Sequence, residues 1–290
     1  MLQVIPSITL FILGTVVGSF LNVCIHRLPH GESIVNPPSH CPACGHRLGP
    51  LDLVPLLSFL LLGRKCRYCG ARIGWRYFVV ELITGVAFVA AWLTSQDVWT
   101  AGAPAVAALG AKLVFCALLI AIFFIDLEHM IIPDELAFIG VGVGLALDIA
   151  GILLWQRPLL TVHVPWTSWA LSVPRSVAGI VVGGAFFLAV EGLSLLIFRK
   201  EGMGGGDLKL GAAIGALLGP GLALLSFGLA VVAGAVVGGA LIAVRLRRRQ
   251  EYIPFGPFMA IMALAVMLFP GPISRLLLRA YSAWYSTWAV

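Results

Sequence analysis

Apolar residues along the chain run in blocks of about 20, and polar residues gather between the blocks. A bilayer core of about 30 Å takes about 20 apolar residues per spanning helix. Met1–Ile25 carries no charge. It lacks a basic leading segment, so it reads as a first span and not as a cleaved signal peptide. Further spans are predicted at Tyr77–Thr94, Ala105–Ile125, Leu136–Trp155 and Val177–Phe198. Leu210–Val244 then runs 35 residues without a charge, interrupted by Gly219-Pro220-Gly221. That length exceeds one crossing, so it predicts two spans, the first of them short. Phe255–Phe269 makes an eighth. The tail Ile273–Val290, with Arg275, Arg279 and four aromatic residues, reads as interfacial. The pattern predicts an all-α polytopic membrane protein of about eight transmembrane helices. Its divisions are a first helix (1–25), a polar loop domain (26–76), a transmembrane domain (77–272) and the tail (273–290).

Composition agrees with the pattern. Of 290 residues, 60% are hydrophobic and 11% charged, against roughly 25% charged in an ordinary soluble domain. These values exclude a disordered chain and a soluble nucleic-acid-binding domain. Six cysteines are too few for a disulfide scaffold. The basic residues orient the chain. With the N-terminus outside, fourteen Lys and Arg fall on one face, in 26–76, 199–209 and 245–249, and four fall on the other. The positive-inside rule makes the richer face cytoplasmic. The net charge of +6 follows from this bias and gives no reason to expect a nucleic-acid partner. Arg245–Arg249 reads as a topology signal and a lipid anchor.

The first cytoplasmic loop holds Cys41-Pro-Ala-Cys44 and Cys66-Arg-Tyr-Cys69, with 21 residues between the pairs. Zinc takes four tetrahedral thiolates, and two CxxC turns supply two each. Gly45 and Gly70 follow the pairs, where a tight turn can aim N–H groups at the sulfurs. The alternative, two disulfides, is disfavoured in a reducing cytoplasm. Four thiolates leave no open position, so the zinc is expected to be structural. His40 and His46 are substitute ligands on a weaker reading. Leu51–Leu62 is apolar but too short to span, and predicts either the core of this small domain or a segment dipping into the interface. Cys24 and Cys116 read as buried small hydrophobes.

Two acidic clusters sit at predicted cytoplasmic helix ends. Asp126 closes one span, with Glu128, His129, Pro133 and Asp134 after it. Asp207 opens another, directly after Gly204-Gly205-Gly206 and before Lys209. Glycines there leave room for a peptide laid along the backbone. Two carboxylates sharing a partly dry site divide acid and base roles, the chemistry of an aspartic protease. The bland alternative is interfacial acids at helix ends. A competing one is a carboxylate-lined ion path through a transporter. Asp134 reads either as support for the dyad or as a helix N-cap. Lys209 reads either as a carboxylate or substrate contact or as a topology charge.

At these residues the chain resembles the type IV prepilin peptidases, bifunctional leader peptidases and N-methyltransferases of bacterial pilus and type II secretion systems. The resemblance runs through Gly18-Ser19-Phe20-Leu21-Asn22-Val23 with Arg27-Leu28-Pro29, both CxxC pairs, and Ile125-Asp126-Leu127-Glu128-His129 with Pro133-Asp134. It continues through Glu201–Leu210 and Pro254-Phe255-Gly256-Pro257-Phe258. Five such motifs in order are specific. Where the family often has Asp-Asn-Ile-Pro between the cysteine pairs, this chain has Asp52-Leu53-Val54-Pro55.

The resemblance implies that Asp126 and Asp207 are the catalytic pair, with Gly204 and Gly206 part of the Gly-x-Gly-Asp context. It implies cleavage of a short basic leader from prepilins and pseudopilins, after a glycine, on the cytoplasmic face of the bacterial inner membrane. It implies methylation of the new N-terminal amine, usually of phenylalanine, with S-adenosylmethionine, and zinc on Cys41, Cys44, Cys66 and Cys69. No Gly-x-Gly-x-x-Gly follows a predicted strand, so a Rossmann-type cofactor site is not expected. Glu81, in the second span, is the candidate to balance a sulfonium charge or take the amine proton. Its alternative is a buried acid paired with Arg76 or a backbone group. Asp148 and Glu191, also in spans, receive no role beyond polar helix contacts. A peptidase-only reading makes residues 26–76 a structural or docking module.

Overall fold

The structure is a computed structural model, and it describes residues 3–95, 98–163, 170–199, 204–244 and 254–275. Nine α-helices and one hairpin are seen among them: α1 (Val4–Arg27), α2 (Leu57–Leu61), α3 (Trp75–Leu93), α4 (Val98–Ala101), α5 (Ala103–His129), α6 (Asp134–Trp155), β1 (Leu160–His163), β2 (Ala170–Val173), α7 (Arg175–Phe198), α8 (Gly205–Ala243) and α9 (Gly256–Leu268). Six of the helices are long and apolar enough to cross a membrane. At 1.5 Å per residue, the 39 residues of α8 would extend about 58 Å, twice a bilayer core. The helix is broken at Gly219, whose φ of 74° and ψ of 172° are non-helical, just before Pro220. Counting α8 as two segments and adding the 13-residue apolar α9 gives the expected eight. The protein is a multi-pass, all-α membrane protein. The hairpin, Leu160–His163 antiparallel to Ala170–Val173, was not foreseen. Glu201, Arg245–Arg249 and the tail after Arg275 lie outside the described residues.

The chain divides into two compact units, residues 1–140 and 141–290, with the boundary inside α6. In the first unit, α1 packs on α3 and both touch α5. Glycine sets the approach. A Cβ added at Gly14 would lie 2.8 Å from Gly85 Cα, and one at Gly18 would lie 2.7 Å from Glu81 Cα. Lipid supplies no hydrophobic drive between helices, so such small-residue contacts carry the association. Asn22 adds a polar tie across the pair, donating from Nδ2 to the Tyr77 carbonyl at 3.1 Å. α5 is the most enclosed span, with 56% of its apolar window buried against 11% for α7. It opens at Gly102 with a proline in its first turn and ends at Met130, in the left-handed region at φ 56°.

In the second unit α7 lies along α8. The same device recurs: a Cβ at Gly179 would collide with the Gly215 carbonyl, and one at Gly183 with that of Gly211. Phe187 and Phe227 fill the space beyond, with ring centroids 5.0 Å apart, and α9 packs on α8. Asp148, given no role by the sequence, caps a neighbouring helix. Its Oδ2 accepts from Ser176 N–H and Ser176 Oγ, each at 2.8 Å. It thereby satisfies a first-turn donor of α7 that lipid would leave orphaned.

Gly18→Leu is expected to overpack the α1–α3 contact and destabilise the first unit by about 1–3 kcal/mol. The check is the melting temperature of the detergent-purified protein. Gly110→Leu, where a Cβ meets nothing within 4 Å among the described residues, should leave it nearly unchanged.

Candidate functional site

The two cysteine pairs fold as matching knuckles. Cys41 N–H donates to His46 O and Gly45 N–H to Cys41 O, at 2.9 and 2.8 Å. Cys66 N–H donates to Ala71 O and Gly70 N–H to Cys66 O, at 2.8 and 2.9 Å. Gly45 and Gly70 stand at φ 69° and 72°, a region that a side chain would penalise. Each knuckle is closed by a bridge, His40 with Arg47 and Lys65 with Arg72. The four sulfurs lie within 4.8 Å of one another, with Cys41 and Cys69 Sγ 3.9 Å apart. None of the six cysteines is in a disulfide.

The thiols share their protons as a set. Desolvation pushes Cys41 up, but the N–H groups of Ala43 and Cys44 and the neighbouring thiols outweigh it, and its pKa falls to about 7. At Cys69 the Ala71 N–H lowers the value, but desolvation and bonds to the other three thiols raise it to about 11. The histidines are occupied elsewhere. His46 stacks on Tyr68 at 3.6 Å between centroids, and His40 Nδ1 lies 3.1 Å from Pro38 O.

Asp52 ties the knuckles to the intervening segment. It accepts from Gly49 N–H at 3.1 Å, Arg67 Nε at 2.7 Å and Tyr68 Oη at 3.0 Å. Arg67 and Gly49 hold its carboxyl below the ordinary range. Beyond it, Phe59 of α2 is buried between Trp75 and Phe78, with ring centroids at 5.3 and 5.2 Å. Leu51, Leu57, Leu60 and Leu61 are exposed. Leu51–Leu62 thus supplies Phe59 to the core of the module and leaves four leucines exposed.

Glu81 lies at the base of this module. It is buried in α3 and accepts the Leu56 N–H at 2.8 Å. Arg76 pairs instead with Glu128, so the partner of Glu81 is the backbone alternative. Leu56 has φ 60° and ψ −48°, an unfavourable conformation for a branched residue that persists only where its surroundings impose it.

Asp126 belongs to the first unit and Asp207 to the second. Asp126 is buried on the last turns of α5, and its carbonyl accepts the Met130 N–H at 2.9 Å. The helix runs one turn past it, to His129. Asp207 is buried on the first turn of α8, and its N–H donates to Gly204 O at 3.0 Å. Gly204 has φ −79° and ψ 148°, ordinary extended backbone, so no unusual dihedral demands a glycine there. A Cβ at Gly204 or Gly205 would meet nothing within 4 Å among the described residues. Gly206 and Lys209 are half-buried on the same first turns of α8. Asp134 is exposed and is the first residue of α6.

Comparison with known proteins places this arrangement. The family described as type IV leader peptidase matches residues 113–239. The bacterial peptidase A24 N-terminal domain matches residues 12–95. The chain belongs to the type IV leader peptidase family. A "prepilin leader peptidase/N-methyltransferase" of Aeromonas hydrophila is 34% identical over 96% of this chain and 92% of its own length. One of Pseudomonas aeruginosa is 33% identical over 92% of each. A "type 4 prepilin-like proteins leader peptide-processing enzyme" of Escherichia coli is 34% identical over 88% of this chain and 90% of its own length. No solved structure matches the chain.

The arrangement predicts a thiol pattern. With metal removed, a small alkylating reagent should label the exposed Cys44 and Cys69 and leave Cys24 and Cys116, at 4% and 0% exposure, unlabelled. Saturating metal should protect Cys44 and Cys69 together. Mass spectrometry of the labelled peptides is the check.

Proposed function

We propose that this protein removes the basic leader from type IV prepilins and type II secretion pseudopilins at the cytoplasmic face of the inner membrane, and then methylates the exposed N-terminal amine. The observation that carries the reading is the agreement, over nearly the whole chain, with relatives named for both activities. The N-terminus lies outside, and residues 26–76 and the α5 and α8 ends that bear Asp126 and Asp207 face the cytoplasm. The divisions are 1–25, 26–76, 77–272 and 273–290.

Asp126 and Asp207 carry the hydrolysis. Burial at helix ends supports this, because a carboxylate out of water is held there against a desolvation cost and marks function. One carboxylate takes a proton from water as its oxygen attacks the glycine carbonyl. The other donates a proton toward the departing amine as the C–N bond breaks. Gly204 and Gly206 leave the backbone open for the substrate, and Asp134 and Lys209 support the pair. The substrate's apolar segment stays in the bilayer, which brings its scissile bond to the membrane surface.

Cys41, Cys44, Cys66 and Cys69 hold a structural zinc. The donor set fits: tetrahedral Zn–S bonds of about 2.3 Å put sulfurs about 3.8 Å apart, close to the 3.9 Å between Cys41 and Cys69. Zinc there locks the knuckles and adds no reactive position. S-adenosylmethionine supplies the methyl group as an electrophilic sulfonium. The amine that accepts the methyl group must give up a proton, and Glu81 would stabilise the sulfonium charge or receive that proton.

Asp126→Asn and Asp207→Asn should each lower cleavage by about 100-fold or more while the protein remains in the membrane fraction. Incubation with a prepilin and methyl-labelled S-adenosylmethionine, read by mass spectrometry, separates cleavage from the methyl increment. Normal leader removal by either variant would overturn the assignment. Cleavage without a methyl increment in the parent protein would leave the peptidase alone.

A further inference from the structure

A cavity of about 380 Å³ opens inside the first unit, between the cysteine module and the ends of α1 and α3. Its size falls in the range of small-molecule sites, about 300–1,000 Å³. Cys41, Cys66 and Arg72 line it from the module, and Asn22, Tyr77 and Glu81 line it from the helices. We propose that this cavity is the methyl-donor site, taking a sulfonium-bearing amino acid joined to adenosine. The proposal rests on the methyltransferase reading above and adds its location.

Three observations support it. The first is an unused acceptor. Asn22 is 3% exposed, and its Nδ2 donates to the Gly18 and Tyr77 carbonyls. Its Oδ1 has no hydrogen-bond partner. A buried acceptor left alone is costly, and a ligand ammonium or ribose hydroxyl would satisfy it.

The second is charge. Glu81 is a buried carboxylate that accepts from two neutral donors, the Leu56 N–H and the Ser19 hydroxyl. Its negative charge is thus answered there by dipoles, and a cationic ligand answers it better. Arg72, on the other wall, is exposed and supplies the opposite charge for a ligand carboxylate. Arg27 and Asp52 also line the cavity, but Arg27 is spent on the Ser33 and Pro37 carbonyls and Asp52 on Arg67. Glu81 and Arg72 thus offer one group of each sign to a zwitterion bearing an extra cation. Apolar Phe59, Leu62 and Ile73 line the same cavity and offer a surface for a heterocycle.

The third is placement. All the lining residues fall between Ser19 and Glu81, inside the 12–95 match, and none falls in the 113–239 match that contains Asp126 and Asp207. The relatives carry two named activities, and this cavity belongs to the domain that lacks both aspartates.

The test measures equilibrium binding of tritiated S-adenosylmethionine, and of S-adenosylhomocysteine, to the full detergent-purified protein. The second ligand keeps the shape and loses the sulfonium charge. Glu81→Gln keeps an acceptor for the Leu56 N–H but removes the carboxylate. It should weaken S-adenosylmethionine about tenfold or more and S-adenosylhomocysteine much less. Arg72→Ala, at an exposed position, should weaken both ligands alike. Zinc content and melting temperature report whether each variant is folded, and if Glu81→Gln fails to fold, Arg72→Ala decides. Parent-like binding of both ligands by a folded Arg72→Ala, or of S-adenosylmethionine by a folded Glu81→Gln, overturns the location while methylation by the parent protein leaves the function standing. No binding and no methylation by the parent protein overturns both.

Discussion

Two helices in lipid gain nothing by hiding apolar surface from water, because the surrounding chains are as apolar as they are. What they gain is close van der Waals contact, and that requires the Cβ atoms to be absent. Both units of this protein depend on that condition. In the first, Gly14, Gly18 and Gly85 let α1 and α3 approach backbone to backbone; in the second, Gly179 and Gly183 meet Gly215 and Gly211. The exposed leucines, valines and isoleucines on the outer faces face the hydrocarbon and need no partner. The helix pairs are therefore fixed by a few small residues, and the polar residues are carried to set positions by them.

That positioning has a consequence at Glu81. A carboxylate in a transmembrane helix is costly unless its charge is answered. Gly18 brings α1 against the backbone of Glu81 itself. The carboxylate then reaches the one N–H that an unfavourable backbone at Leu56 turns toward it. The module is thereby attached to the bundle at a defined point. Asp148 plays a comparable part in the second unit, where it meets the first turn of α7. Glu81 and Asp148 are each held by a backbone N–H and a serine hydroxyl, whereas Asp52, in the cysteine module, also takes Arg67.

Much of this was legible in the residues because much of it is local. Span limits follow from hydropathy summed along one helix, and they agree with the structure to within a few residues, as Ala105–Ile125 against Ala103–His129 shows. The knuckles were legible because the ligand spacing and the following glycine belong to one turn. Gly219-Pro220 was legible as a break for the same reason. The Leu56, Arg67 and Ser176 partners of Glu81, Asp52 and Asp148 were not, because each lies 15 to 28 residues away and depends on helix register. The hairpin at 160–173 escaped because four-residue strands have no period long enough to register. The glycine contacts were visible as glycines but not as pairs, since pairing is a property of two helices at once.

The first unit then has a chain of dependence that no single residue reveals. Metal on the four thiolates would fix the two knuckles against each other. The knuckles fix Asp52 through Arg67 and Tyr68, and with it the turn that begins at Gly49 and leads to Leu56. Leu56 orients the Glu81 carboxylate, and Glu81 closes the cavity from the membrane side. Each link is short, and each converts a constraint at one point into a preorganised group at the next. A metal there, with no open coordination site, would act at a distance, by holding in place the charge that the cavity presents.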